Sequence, residues 1–332
     1  MILVTGGAGY IGSHTVVELL NDGHEVIIAD NLCNSSIEVI THIESITGKT
    51  FIFENFDLSN RDKVFEILSK YPIKAIIHFA AHKAVGESID NPEKYYNNNI
   101  CSLLNVIALG EKLKIKNFIF SSSATVYGTP QSSPISESHP VLTSNSPYGT
   151  TKIMGEKIIS DVASISKTHY CLLRYFNPIG AHKSGLIGDN PNGIPNNIMP
   201  YITRVAAGNL KELSVFGSNY PTEDGTCIRD YIHVVDLAKG HVKSLENSTR
   251  TNPSIYNLGT GNGTSVLQLI TTFEKVNNVS IPYKLTDRRE GDITSMYANP
   301  NLALKEINWK AELTLEEMLK SSWKFQKNIK NG

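Results

Sequence analysis

The sequence predicts an α/β chain, a doubly wound parallel sheet carrying a smaller C-terminal α/β substrate domain. Three observations predict it. Short β-rich runs alternate with helical patterns through the first half, several of those runs are continuously apolar, and a glycine-rich turn joins the first run to the first helix. Strands without a polar face suit a parallel sheet covered on both sides. The 332 residues, 40% apolar and 19% charged, can fill a core and correspond to about two domains. We divide them into a sheet domain over 1–177, rejoined by later segments near 228–260, and a substrate domain over most of 178–332.

In order, strands are expected at Ile2–Thr5, Glu25–Ala29, Thr50–Phe53, Ile73–Ala80, Asn117–Ser122 and His169–Tyr175. Each combines β-branched or aromatic residues with little internal charge. A helix runs from Tyr10 to about Leu20. Another, Tyr95–Lys112, places Ile100, Leu103, Leu104 and Ile107 on one face, and Tyr148–Ser164 does the same with Met154, Ile158 and Val162. From Pro178 to Pro200 the texture changes to proline, glycine and asparagine without periodicity. A loop of that length after a strand end reads as a ligand-covering segment. Shorter elements follow at Leu213–Phe216, Ile228–Val235 and Ile255–Leu258, then helices near Val266–Val276 and Leu315–Lys327.

Charge and cysteine usage exclude several classes. Lys and Arg total 31 against 32 for Asp and Glu, a net charge of −1, so no global field draws nucleic acid or an acidic membrane. Four scattered cysteines, Cys33, Cys101, Cys171 and Cys227, form no CxxC and fit a reduced, cytoplasmic chain. The start lacks a basic n-region, and no apolar run is long enough for a membrane span. His78 and His82 are four apart without carboxylates at ligand spacing, so no metal site is expected.

The segment Thr5-Gly6-Gly7-Ala8-Gly9-Tyr10-Ile11-Gly12 fits both GxxGxxG and GxGxxG. Its context is a strand before, an amphipathic helix after, and a second strand ending at Asp30. One glycine takes the turn, one lets the backbone approach a pyrophosphate, and one packs helix on strand, the Rossmann arrangement. Amides at the helix start then face the diphosphate. Asp30 lies where an acid accepts hydrogen bonds from an adenosine ribose, and its charge repels a 2′-phosphate. With no Lys or Arg between Asp30 and Lys49, the site favours NAD over NADP. Asp57 is a weaker candidate for the adenine; a helix N-cap role fits it equally well.

Tyr148 and Lys152 form a YxxxK pattern, and residues four apart share a helix face. A phenol ordinarily near 10 needs roughly 4 kcal/mol of preferential phenolate stabilisation to act near pH 7. One cation at about 5 Å with an effective dielectric near 20 supplies about 3 kcal/mol. The positive nicotinamide ring supplies the rest. Ser123 ends a strand, where ligands of doubly wound sheets sit, and its hydroxyl can donate to a sugar oxygen or relay a proton.

With these motifs in place, the chain resembles the extended short-chain dehydrogenases/reductases, and within them the UDP-hexose 4-epimerase branch. The resemblance runs essentially from Met1 to the C-terminal helix. It is carried by VTGGAGYIGSHT, DNL at Asp30–Leu32, HFAAHKAVGES, FSSSATVYG, SPYGTTK, LLRYFNPIGAH, IPNNIMPY, YPTEDGTCIRDYIHV and RREGD. It implies catalysis by Ser123, Tyr148 and Lys152. It implies NAD contacts from Gly6, Gly9, Tyr10, Ile11 and Gly12 in the turn, from Asp30, Asn31, Asp57 and Leu58 at the next two strand ends, and from Phe79, Ala80 and Lys83 after the fourth. Asn98, Ser121 and Tyr175 complete that set, with Tyr148 and Lys152 themselves. The UDP-sugar is implied to meet Lys83, Ser123, Tyr148, Asn177, Asn197, Ile198, Phe216, Arg229, Arg289, Asp292 and Met296. Two arginines clamping a diphosphate also make sense on chemistry alone, since guanidinium offers forked donors.

The implied reaction removes the 4-hydroxyl proton and the C4 hydrogen of UDP-glucose or UDP-galactose. The 4-keto sugar then turns, and the hydrogen returns to its other face. Met296 stands where some members carry tyrosine and others a smaller residue, and its adaptable thioether leaves acceptance of UDP-N-acetylglucosamine open. A 4,6-dehydratase needs an extra acid and base, which that group supplies as Asp-Glu beside the strand-end hydroxyl; here Ala124 and Thr125 stand there. Members of the family commonly form homodimers through the helices expected at Tyr95–Lys112 and Tyr148–Ser164.

Overall fold

In the computed structural model, which describes every residue except Ile194, 247–250, Glu290 and Gly332, the first strand holds the middle of a seven-stranded parallel sheet. Its strands are β1 (Ile2–Thr5), β2 (Val26–Asp30), β3 (Ile52–Asn55), β4 (Ala75–His78), β5 (Asn117–Ser121), β6 (His169–Tyr175) and, after four shorter strands, β11 (Ser254–Leu258). Their spatial order is β11-β6-β5-β4-β1-β2-β3. From β1 the chain winds one way through β2 and β3 and the other way through β4, β5 and β6. Crevices for ligands open at such a reversal, outside the carboxyl strand ends.

Alternation along each strand sends neighbours to opposite faces. Val4, Ile28, Ile77 and Leu173 pack on one side against α1 (Tyr10–Asn21), α2 (Glu38–Thr47), α8 (Val234–Glu246) and α10 (Asn301–Ile307). Leu3, Ile27, Ile76 and Leu172 pack on the other against α3 (Arg61–Leu68), α5 (Pro92–Leu113) and α6 (Pro147–Ala163). Both faces are therefore covered, which is why the strands read as unbroken apolar runs.

The remaining elements build a second core. Helices α7 (Ile198–Ala206), α9 (Val266–Asn277) and α11 (Leu315–Asn331) close over β8 (Leu213–Phe216), burying Ile202, Leu213, Phe273 and Leu319. Strand β8 pairs in parallel with β13 (Tyr283–Thr286), and β7 (Asn177–Ile179) with β10 (Tyr231–His233). Strand β9 (Ile228–Arg229) lies between β12 (Thr264–Ser265) and β14 (Ser295–Met296). The short α4 (Val85–Asp90) precedes α5.

Two expectations change. The Ile228–Val235 run is not one strand: it divides into β9, β10 and the start of α8. Asp230 causes the break, because its fully buried carboxylate turns inward to accept from the Thr260 hydroxyl and from the amides of Thr260, Gly261 and Ala298. The helical stripes are also wider than the core they face. Leu103 and Ile107 are buried, but Leu104 is 44% exposed and Met154 40% exposed. A helix that packs along one line leaves the flanks of a broad stripe outside.

Candidate functional site

A cavity of about 650 Å³ opens at the carboxyl ends of β1, β2 and β4. The glycine turn forms its floor for steric reasons. Gly6 has φ +69°, and a Cβ there would stand 2.8 Å from the Ala80 amide nitrogen. A Cβ on Gly12 would collide with the Gly6 carbonyl, whereas one on Gly9 would meet only that carbonyl, at 3.2 Å. Gly6 and Gly12 are thus required by the fold, and Gly9 by whatever approaches the turn. Gly9 caps α1 without a side chain, so the first helical amides remain available to an anion.

Asp30 has two duties. Its Oδ2 accepts from the Ala8 amide at 3.0 Å and its Oδ1 from the Leu32 amide at 2.8 Å, which ties the turn to the end of β2. Burial pushes its carboxyl above the ordinary range, and those amides oppose the shift. Among the described residues beside it, Asn31, Cys33, Ser35 and Glu38 line the cavity and no Lys or Arg does. Asn31 donates to Asp57 Oδ2 at 3.2 Å, and the Ser59 amide to Oδ1 at 2.8 Å. Asp57 does not cap α3; Asn60 does, accepting from the Lys63 amide at 3.1 Å.

Helix α6 starts at Pro147 behind Ser146, whose hydroxyl accepts from the Gly149 amide at 3.2 Å. This start places Tyr148 and Lys152 on the cavity wall with Tyr175. Ser123 follows β5 and begins the turn Ala124–Tyr127, accepting from the Thr125 amide at 3.2 Å. Its hydroxyl lies near the Tyr148 phenol, where it eases the burial of the phenolate. Lys152 Nζ donates to the Ser121 carbonyl at 2.7 Å and lies 5.9 Å from the Tyr148 ring centre. Ser121 in turn donates to the Tyr175 hydroxyl at 3.3 Å.

The electrostatics depart from the expected balance. Burial pushes the Tyr148 phenol well above its ordinary value, Tyr175 adds to the rise, and the nearby Ser123 hydroxyl only partly offsets it. Burial also lowers Lys152 to about 8, against the pull of Glu156. The ammonium is spent on a backbone carbonyl, so the pair by itself leaves the phenol protonated.

Gly6, Gly9, Tyr10, Ile11, Gly12, Asp30, Asn31, Asp57, Leu58, Phe79, Ala80, Lys83 and Asn98 all face the one cavity, as do Tyr148, Lys152 and Tyr175. Ser121 and Ser123 stand directly behind them. Lys83 Nζ lies 3.5 Å from Asp189 Oδ1, and Asn197, the residue before Ile198 and α7, donates to Asp189 Oδ2 at 3.3 Å. A second cluster gathers Phe216, Arg229, Arg289 and Asp292. Arg289 Nε donates to Asp292 Oδ2 at 3.1 Å with its guanidinium 4.7 Å from the Phe216 ring centre, and Arg229 Nη2 lies 3.7 Å from Asp292 Oδ1. Met296 pairs in register with Arg229 and is buried with Ala124, Val126, Phe176 and Ala298. Asn177, at the start of β7, is exposed, and its amide donates to the Asp230 carbonyl at 2.9 Å. His78 Nδ1 lies 2.8 Å from the Thr5 hydroxyl, and His82 packs on Tyr95, both as structural contacts.

Sequence reasoning missed Asp189 and Asn99. Asn99 accepts from the His82 amide at 2.8 Å and donates to the Thr151 hydroxyl at 3.0 Å, tying the strand-end loop to α6. Its position one turn beyond Tyr95 was the available signal. Asp189 sits in a loop without periodicity, which offered none.

Comparison with known proteins places this architecture. The family model for GDP-mannose 4,6 dehydratase matches residues 3–322. The UDP-glucose 4-epimerase of Haemophilus influenzae is 54% identical over all of this chain and 98% of its own length. A crystal structure of UDP-glucose 4-epimerase from Bifidobacterium longum in complex with NAD+ and UDP superposes with a TM-score of 0.95 at 48% identity, covering 100% of this chain and 99% of that one. The Stenotrophomonas maltophila UDP-glucose-4-epimerase with bound NAD and formylated UDP-arabinopyranose gives 0.96 at 45% identity, over 99% and 98%. The phenol and ammonium on the cavity of the glycine turn, with the Ser123 hydroxyl beside them, therefore stand on a chain that belongs to the UDP-glucose 4-epimerase family of extended short-chain dehydrogenases/reductases.

Proposed function

We propose that this chain is an NAD-dependent 4-epimerase interconverting UDP-glucose and UDP-galactose through a transient 4-keto sugar. One observation carries the reading: Tyr148 and Lys152 line the same cavity as the glycine turn and Asp30, with Ser123 beside the phenol. The cavity suits the cofactor. A Cβ-free approach at Gly9, unpaired amides at the start of α1 and a carboxylate without a neighbouring cation match a diphosphate and an unphosphorylated ribose.

NAD held there would supply a hydride acceptor and donor for sugar C4 and positive charge beside the phenol. Tyr148 removes the 4-hydroxyl proton and returns it to the product. Ser123 orients that hydroxyl and relays the proton. Lys152 supplies positive charge below the phenol, held in place by the Ser121 carbonyl. Arg229 and Arg289, already paired through Asp292, hold the diphosphate while the freed hexose turns. Asn177, Asn197, Ile198, Phe216 and Met296 shape the uridine and sugar side. Residues 1–177, joined by segments near 228–260, bind the cofactor, and most of 178–332 binds the sugar nucleotide, with Gly185–Asn192 covering the dinucleotide.

Among the described residues no helix is long and apolar enough to cross a membrane, and we place the enzyme in the cytoplasm. Leu104 and Met154, apolar and exposed on the packed pair α5 and α6, support a homodimer formed through these helices. Use of UDP-N-acetylglucosamine is the second reading, left open by a methionine at position 296 that is neither tyrosine nor small. Dehydration is disfavoured because Ala124 and Thr125 offer no titrating group beside Ser123. The test is direct. Purified protein should carry NAD and convert UDP-glucose to UDP-galactose without added cofactor; absence of product by NMR rejects the assignment.

A further inference from the structure

Below the catalytic groups lies a buried ionic cluster that none of the steps above uses. Ser122, the residue before the catalytic serine, donates its hydroxyl to Glu156 Oε1 at 2.6 Å. Arg174, next to Tyr175 on β6, grips the same carboxylate with both arms of its guanidinium, Nε to Oε1 at 2.9 Å and Nη2 to Oε2 at 2.6 Å. Its third nitrogen, Nη1, donates to the Tyr127 hydroxyl at 3.1 Å, and Tyr127 donates onward to Asn257 Oδ1 at 2.6 Å. Ser122, Glu156 and Arg174 are all buried.

The placement matters more than the pairing. Glu156 is one helical turn beyond Lys152 on the same face of α6, as Lys152 is one turn beyond Tyr148. Its clamp therefore joins three pieces of the catalytic set. It reaches the helix bearing phenol and ammonium, the end of β5 from which Ser123 projects, and the strand that ends in Tyr175. A buried pair of this kind is poor evidence of net stabilisation, since burying two charges costs about as much as their attraction returns. Retaining it here calls for another role.

We infer that Glu156, clamped by Arg174 and Ser122, is a positioning residue of this active site: it locks α6 to the ends of β5 and β6 and sets an anion one helical turn from Lys152. This rests on the epimerase reading for its consequence in turnover, but not for its effect on Lys152. The groups facing Lys152 are few. Tyr148 and Glu156 lie on its own helix, His78 on β4, His241 on α8 and Tyr175 on β6. Burial holds both histidines neutral, down to about 3 and about 4. Glu156 is then the anion that offsets the cost of burying the lysine.

The test uses the NAD-loaded protein and two independent readouts. In protein labelled with ¹³C at lysine Cε, the Lys152 resonance is assigned by its loss in Lys152→Met and titrated. Glu156→Gln should lower its midpoint by about one pH unit, the scale of losing a unit charge about 6 Å away in a partly neutralised pair. The alkaline limb of kcat should move down by the same amount, with kcat at pH 7 reduced about twofold by the lost charge and KM for UDP-glucose little changed. Glu156→Asp, which keeps the charge, should restore the limb. Should Glu156→Gln not fold because Arg174 is left unpaired, Glu156→Gln with Arg174→Met removes both charges and should still lower the midpoint, but by less, because the opposing Arg174 charge goes too. An unmoved Lys152 titration in a folded variant overturns the proposal. Wild-type protein that binds NAD but does not epimerise overturns the functional reading instead, and the titration still decides the role of Glu156.

Discussion

The Lys152 ammonium donates to the Ser121 carbonyl at 2.7 Å instead of to the Tyr148 hydroxyl. It acts on the phenol through space, and its charge depends on a proton held loosely, because burial lowers its titration to about 8. The sign follows: Lys152 is charged below that pH and loses its charge above it. Turnover should therefore fall on the alkaline side with an apparent midpoint near 8, well below an ordinary lysine. A kcat/KM profile from acid to strongly basic buffer checks this, and a plateau extending to the ordinary lysine range would contradict it.

Burial alone keeps the Tyr148 phenol protonated, so its work as a base depends on the cofactor's positive charge, and removing the phenolic oxygen tests that role. Tyr148→Phe preserves the ring packing and should lower turnover by about 10²–10⁴-fold, the usual cost of losing a general base. NAD should remain bound, as judged by absorbance of the purified protein. Turnover near the wild-type level would remove Tyr148 from its assigned step.

How much of this was readable in the sequence follows from where the information sits. The large sheet was legible because strands buried on both faces have no polar alternation, and the turn from Gly6 to Gly12 because only glycine survives the contacts there. YxxxK was legible because both residues lie on one helix, where spacing fixes their face. The clamp of Glu156 by Arg174 was not: helix spacing places Glu156 below Lys152, but nothing local pairs it with an arginine on a strand 18 residues later. The β9, β10 and β14 strands are two or three residues long, too short for periodicity, and depend on Asp230 collecting donors from two distant segments, Thr260 with Gly261 and Ala298. Asp189, which meets Lys83 and Asn197, depends on how a long loop folds back.

The glycine turn separates a folding requirement from a binding one. Gly12→Ala puts a methyl into the Gly6 carbonyl, so it should destabilise the fold and abolish NAD retention together. Gly9→Ala meets that carbonyl only at 3.2 Å, tighter than ordinary contact but not a collision. It should leave the unfolding midpoint close to wild type while weakening NAD binding. Thermal unfolding beside bound-NAD stoichiometry distinguishes the two; equal losses of stability would refute the division.

Two neutral histidines near the site predict acid sensitivity. Burial lowers His78 to about 3 and His241 to about 4. The unfolded imidazole takes a proton near 6.5, while the folded one stays neutral until the pH falls much lower. The unfolded state therefore binds more protons across this window, and stability declines as pH drops from about 6.5 towards 4. Each group contributes on the order of 2–3 kcal/mol to that decline. Urea unfolding at stepped pH should show it. His78→Asn, which can still meet the Thr5 hydroxyl but does not titrate, should flatten the slope.

Met296 lies in a packed apolar cluster, 8% exposed, beside Ala124 and in register with Arg229. Its substitution therefore reports on packing and sugar selectivity at once. Met296→Tyr adds a ring and a hydroxyl to filled space and should cost about 1–3 kcal/mol of stability. Met296→Ala leaves a void and should cost about 2–5 kcal/mol. If the thioether also borders the sugar, the tyrosine variant should lose activity on UDP-N-acetylglucosamine more than on UDP-glucose, and the alanine variant should do the reverse. Rates on both substrates, each normalised to the folded fraction, separate the effects. Parallel losses on the two sugars in both variants would assign Met296 to the core alone.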